Sequence, residues 1–317
     1  MSADATTSGG ELVQEYGTGY LRTRIIAHSR GRYAWQRQPG PDRGSLLVQG
    51  SPEFRQKANA SARGRVRFAM SLPRVAADNA LTYITSGQRA LAGLLSSVAD
   101  TPHQDQLLST VTDCGRVLRA LHQHPHEDAV SAPLSGPARL QAWMNTATGT
   151  RAATALHSRM YQFLGSARWE TIAQWCDAAL HDPVDTAVTL HGAFGLGQIV
   201  MADHPEAGAV VLAGEDATRG AASFDVGWLL GELAEFHILA QRAGVPRPLL
   251  GEARASFLAG YGNLADPTAV AHTAVLRIAV HTHDFSAFVG WHPELLLYIR
   301  YIAELIDDEG ASTLAAW

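Results

Sequence analysis

The residues whose types and order could do chemistry lie between positions 186 and 236, TAVTLHGAFGLGQIVMADHPEAGAVVLAGEDATRGAASFDVGWLLGELAEF. Two short apolar runs, 186–190 and 209–212, read as buried strands, each closing on a glycine-containing turn that carries polar groups. The adjacent acids Glu215 and Asp216 follow in a loop, and Asp225 then stands before the stripe Val226, Leu229, Leu230, Leu233 and Phe236. That spacing predicts a helix with Asp225 as its N-cap and Gly244 and Pro246 as its stop. Strand, polar turn, strand, acidic loop and capped helix is an order in which phosphoryl-transfer sites are assembled. Such a site needs carboxylates on a metal, cations on the phosphates and a group that orients the nucleophile. Glu215 and Asp216 read equally as Mg2+ ligands, since that ion takes oxygen donors and keeps several waters, or as surface acids.

The stretch resembles the catalytic half of the aminoglycoside phosphotransferase and protein-kinase-like families. The residues that carry the resemblance are His191-Gly192-Ala193, Gln198, Leu212-Ala213-Gly214-Glu215-Asp216, Gly220 and Phe224-Asp225. A second point is LRALHQHP at the end of segment 104–123, similar to the Leu-His-rich close of the first large C-lobe helix in aminoglycoside phosphotransferases. The resemblance implies an α+β, bilobal protein-kinase-like fold with a small strand-rich N-lobe and a large helical C-lobe. It also implies ATP and Mg2+ as cofactors of an active member. Ala193 falls where the family has its catalytic Asp, Gln198 where it has a metal-binding Asn, and Ala213 where it has the main metal-binding Asp. What the resemblance leaves as catalytic candidates is His191, Glu215 and Asp216, although the usual family role of His191 is to brace the loop by hydrogen bonding. The metal candidates are Gln198, Glu215, Asp216 and Asp225, the last also readable as a helix cap.

The elements that must position these groups are legible in outline. Residues 1–10 have no pattern and read as a disordered tail; 11–86 read as the strand-rich lobe; and 87–317 read as the helical lobe, with the central hairpin at 186–225. Gly17 and Gly19 precede the predicted strands of segment 21–49 and match a phosphate-binding glycine loop in part; a plain turn is the other reading. SLLVQG, 45–50, reads as a strand that puts Gln49 where the family carries its phosphate-clamping Lys. Segment 52–70 reads as a basic helix with Arg55, Lys57, Arg63, Arg65 and Arg67, open either to phosphates or to an acidic peptide, or simply solvated. Lys57 is the only lysine; the other 24 basic residues are arginines. Strands with a turn and a hinge are expected over 72–86, and helices over 88–98, 104–123, 224–243, 249–260, 268–289 and 294–308. His281, His283 and Asp284 fit a packing network better than a catalytic pair.

Length and composition bound the class. A chain of 317 residues, 46% hydrophobic and 17% charged, can bury a large core. A net charge of −5 gives no reason to expect nucleic acid as partner. No apolar run approaches the about 20 residues of a membrane span. Cys114 and Cys176 lack metal spacing and read as reduced core residues of a cytoplasmic protein. The HGAFGLGQ and AGEDATRGAASFDVGWLLGELAE texts look similar to the kinase-like proteins of class V lanthipeptide and thioamitide biosynthesis. That similarity implies phosphorylation of Ser/Thr in a ribosomal precursor peptide, with a partner lyase that eliminates the phosphate. A pseudokinase scaffold for a peptide or partner protein is the alternative, and a small-molecule (antibiotic) phosphotransferase the third reading.

Overall fold

The computed structural model describes residues 10–73, 79–96, 104–124, 132–181, 187–245 and 247–315. β1 (Glu11–Gly17), β2 (Leu21–His28) and β3 (Arg32–Pro39) form an antiparallel meander, and β5 (Leu81–Thr85) pairs with β3. One face buries Ile25, Trp35, Leu81 and Tyr83 against Leu47, Val210 and Leu212. β1 departs from the sequence reading, which has no strand there. Its side chains are all exposed, so no apolar alternation announces it. The consequence is that Gly17 and Gly19 flank a turn between two strands instead of preceding the first.

Segment 52–70 divides in two, against the expectation of one helix. α1 (Pro52–Ala60) is capped by the Ser51 side chain, which accepts from the Phe54 N–H. β4 (Val66–Met70) follows, with Val66 and Phe68 buried and Arg67 exposed between them, a period of two. It pairs in parallel with β9 (Ala209–Ala213), and that pairing wins over helical propensity. The strand expected over 45–50 does not form; Leu47 is buried there without ladder pairing. β9 also pairs with β8 (Ile199–Met201), and β8 with β6 (Arg89–Ala90), giving the order β4-β9-β8-β6. β7 (Val188–Leu190) and β10 (Thr218–Gly220) form a separate antiparallel pair.

The helices are α2 (Leu91–Ser96), α3 (Gln104–His122), α4 (Ser135–Thr146), α5 (Ala153–Leu180, broken at Gly165), α6 (Ser223–Arg242), α7 (Pro248–Tyr261), α8 (Pro267–Phe288), α9 (Leu295–Asp307) and α10 (Ala311–Leu314). α6 is buried on nearly every side through its first four turns, as a central helix should be. Gly227 and Gly231, one turn apart, let it approach α8: a Cβ on either would lie 2.4 Å from a carbonyl oxygen of that helix. The expected N-cap role of Asp225 is not what forms. α6 starts two residues earlier, at Ser223, and Asp225 lies inside its first turn with its carboxylate aimed elsewhere. Gly244, at φ 68°, ends the helix as expected, while Pro246 is outside the described residues. Two cores result, one among α3, α6 and α7 and one among α4, α5, α8 and α9. Cys114 and Cys176 are buried free thiols, and burial pushes Cys176 up to about 12. Among the described residues no helix is long and apolar enough to cross a membrane.

Phe257 is fully buried on α7 between α3 and Phe194. Phe257→Ala is expected to cost about 3–5 kcal/mol, read as a lower urea midpoint at unchanged slope. A loss below about 1 kcal/mol would show that this core is not packed as described.

Candidate functional site

The chain turns sharply after β7. Gly192 takes φ 82°, and a Cβ there would lie 1.8 Å from the Asp216 carbonyl oxygen, so only glycine fits. The turn is held from α6. The backbone N–H of His191 donates to Asp225 Oδ2 at 2.7 Å, and that of Gly192 to Oδ1 at 2.9 Å. His122 Nε2, at the end of α3, lies 3.2 Å from Oδ2, and its Nδ1 lies 2.9 Å from the Tyr261 hydroxyl. Asp225 is wholly buried, and both oxygens are engaged. In this structure Asp225 positions the turn.

His191 is also spent on structure. Its Nε2 donates to the Leu212 carbonyl at 2.9 Å, and its Nδ1 accepts from the Ala193 N–H at 3.3 Å. No ring nitrogen remains for a substrate, so the catalytic expectation gives way to the bracing one. A second acid of α6 holds the next stretch of loop. Glu232 Oε2 accepts from the Leu196 N–H at 2.8 Å, and Arg277 of α8 lies 3.6 Å from its other oxygen. Glu232 was invisible as a site residue because only its place two turns after Asp225 gives it away.

Gln198 ends the short turn Leu196–Gln198, one step before the Ile199–Val211 pair of the hairpin. Its Oε1 is buried and has no hydrogen-bond partner among the described residues. Asp216 packs against Gly192 and accepts from the Ser135 hydroxyl of α4 through Oδ1 at 2.8 Å. Glu215 is buried, and its Oε1 accepts from Arg37 at 3.1 Å and from the Tyr83 hydroxyl at 2.8 Å. Burial first, then the Glu215 charge, raises the Tyr83 hydroxyl well above its ordinary range. Burial works against the Arg37 charge, and Glu215 overcomes it.

Arg37 is the cation that sequence reasoning missed. It lies on β3 on the same side as Tyr33 and Trp35, and an arginine on a buried strand face was the available signal. The residues expected to bind the cofactor have these partners. Lys57 is ion-paired with Glu53 on its own helix. The Gln49 amide donates to Ser71 Oγ at 3.0 Å and to the Leu72 carbonyl at 2.7 Å. Gly17 closes β1, and the Gly19 N–H donates to the Phe288 carbonyl at 2.9 Å, so this turn is docked on α8. Tyr20 completes the docking. Its ring lies 4.4 Å from the guanidinium carbons of both Arg43 and Arg139, and its hydroxyl accepts from Arg139 at 2.9 Å. Arg139 also grips Asp284 with two nitrogens, at 3.3 and 2.7 Å.

A model of the phosphotransferase enzyme family matches residues 42–272. The chain belongs to this family. No curated protein matches it. Among solved structures, spectinomycin phosphotransferase in complex with ADP and spectinomycin is 9% identical, with a TM-score of 0.53 over 95% of this chain and 92% of that one. Amicoumacin kinase in complex with AMP-PNP, Ca2+ and Ami is 14% identical, with a TM-score of 0.54 over 94% of this chain and 89% of that one. These likenesses bear out the kinase-like α+β fold.

The two neighbours named above were solved with ADP and with AMP-PNP and Ca2+, and this chain carries oxygen donors of the class a divalent cation takes. Among the described residues Gln198 Oε1 is a buried oxygen without a donor, and Glu215 and Asp216 each bond through one carboxylate oxygen. These are hard oxygen ligands, which Mg2+ takes in ones and twos beside phosphates and water. No closed cage exists: among the described residues no three His, Cys, Asp or Glu side chains converge. Ala193 and Ala213 contribute no functional group.

Asp225→Asn turns an acceptor toward two backbone donors into a part-donor. It is expected to cost about 3 kcal/mol or more in chemical denaturation, with His122→Ala costing less. Asp284 provides a pH test. Burial raises its carboxyl, but Arg139 and then His283 hold it down to about 2. A depressed folded pKa stabilises above the unfolded value near 3.8 and loses that contribution as pH falls to about 2. Stability measured across that window should fall less steeply in Asp284→Asn than in the parent.

Proposed function

We propose that this phosphotransferase family member transfers the terminal phosphoryl group of ATP to a Ser or Thr hydroxyl of a ribosomal precursor peptide in the cytoplasm. A partner lyase, held in a hetero-complex, then removes the phosphate together with the α-proton to leave a dehydroamino acid. The observation that carries phosphoryl transfer is the buried Arg37–Glu215 pair beside Asp216. A buried ion pair is rarely kept for stability, since packed apolar residues do as well. Arginine cannot shed its charge, so Arg37 leaves Glu215 only for another anion. A nucleotide phosphate is that anion, and Glu215 is then free, with Gln198 and Asp216, to hold Mg2+. Bound there, Mg2+ would neutralise charge on the phosphates. In this reading the Asp216 carboxylate oxygen that does not face the metal takes the proton as the acceptor oxygen bonds phosphorus and ADP leaves. The peptide as acceptor rests on the similarity of the HGAFGLGQ and GED texts to kinase-like proteins of lanthipeptide biosynthesis.

A pseudokinase scaffold is the second reading, favoured by one observation: alanine stands at 193 and 213, and each nearby acid already has an internal partner. A dedicated antibiotic kinase is a poorer fit, because such an enzyme would be expected to keep its catalytic Asp.

Incubation with ATP, Mg2+, the precursor peptide and the lyase separates these. Phosphopeptide or dehydroamino acid should appear by mass spectrometry, and Glu215→Gln, Asp216→Asn and Arg37→Met should each lower the rate about 100-fold or more without unfolding the chain. Product at parental rate in the Glu215→Gln, Asp216→Asn double variant would remove these acids from the chemistry. No nucleotide consumption by the parent complex would establish the scaffold.

A further inference from the structure

A cavity of about 90 Å³ lies behind the first turn of α6, between that turn, α5 and the start of α8. Its walls are apolar, formed by Trp175, Phe224, Leu276 and four alanines. Three polar side chains face it: Ser223, His272 and Thr273. His272 is stacked flat on Trp175, with ring centroids 4.2 Å apart and planes 15° from parallel, so its ring is fixed. Its Nε2 is buried and has no hydrogen-bond partner among the described residues. A buried nitrogen left without a partner costs free energy, and a cavity at its tip says where the partner goes. Burial lowers the His272 pKa, so the ring is neutral near pH 7 and no charged side chain lines the space. An anion or ammonium would be desolvated there without compensation. The volume holds a handful of heavy atoms.

We infer that this cavity is a binding site for one small, uncharged, hydrogen-bonding side chain of the acceptor peptide, next to the hydroxyl that is phosphorylated. The location supports this. Phe224 lines the cavity, and the next residue, Asp225, holds the His191–Gly192 turn. A side chain seated in the cavity would anchor the peptide on the first turn of α6, the element that also holds the His191–Gly192 turn, and so set which hydroxyl is reached. The inference rests on the peptide reading for its ligand, whereas the cavity and its unpartnered nitrogen do not.

The test has two arms. Isobutyramide, a neutral probe of the right size, is titrated into the isolated chain while the histidine ring signals are followed by NMR; His272 is assigned by loss of its signal in His272→Phe. Saturable, millimolar shifts of His272, abolished in Ala179→Leu, are expected. In the second arm, peptides with Thr or Asn beside the acceptor are compared with ones carrying Lys, Glu or Trp. The small neutral set should be preferred about tenfold or more in kcat/KM, and Ala179→Leu should erase the preference. His272→Phe keeps the stack and is the second variant should Ala179→Leu misfold; it should reduce the peptide preference about tenfold in kcat/KM. No saturable shift, or a preference untouched in both variants, overturns the inference. Probe binding without phosphorylation of any peptide overturns the peptide reading instead.

Discussion

One carboxylate organises the site. Asp225 is wholly buried, and it is tolerable there only because two backbone N–H groups and His122 surround it. Those donors come from the turn after β7 and from the end of α3, so one side chain fixes three elements at once. Glu232, two turns along the same face of α6, repeats the device on Leu196 with Arg277 behind it. The helix is thus a rigid rail bearing two acids, and the loop from His191 to Leu196 hangs from it. Gly227 and Gly231 bring α8 close enough for Arg277 to reach.

The frame persists although the side chains that would do the chemistry have changed. Ala193 and Ala213 leave two positions empty of acids, yet His191 still ties the turn to β9 and Gly192 still makes the close approach to Asp216. The acids of this loop are Glu215 and Asp216. A cation from the sheet, Arg37, meets it there, with the Tyr83 hydroxyl as a third member. Above them the turn at Gly19 and Tyr20 is latched to α4 and α8 through Arg139 and Asp284. The energetic logic is one of charges in balance: each buried acid has a donor, and exchange of partners is the only inexpensive change.

Much of this was readable before the fold. Strands 188–190 and 209–213, the α3 ending and α6 follow from apolar periodicity that tertiary packing then respects. The misreadings share a cause: long-range pairing. β1 has no buried face, 66–70 becomes a strand because β9 lies beside it, and the 45–50 strand lacks a partner. Asp225 reads as a cap from its neighbours alone; the turn it grips is 33 residues away for Gly192. Arg37 was hidden for the same reason, since its partner Glu215 lies 178 residues on. Lys57, the only lysine, is paired with Glu53 on α1.

The central claim is that the Arg37–Glu215 pair is the resting form of a phosphate and metal site. A crystal structure of the chain with AMP-PNP and Mg2+ tests it directly. The account predicts that Arg37 has left Glu215 for a phosphate oxygen, with Glu215 and Gln198 turned to the metal. A nucleotide bound elsewhere, or bound with the Arg37–Glu215 hydrogen bond intact, would contradict it.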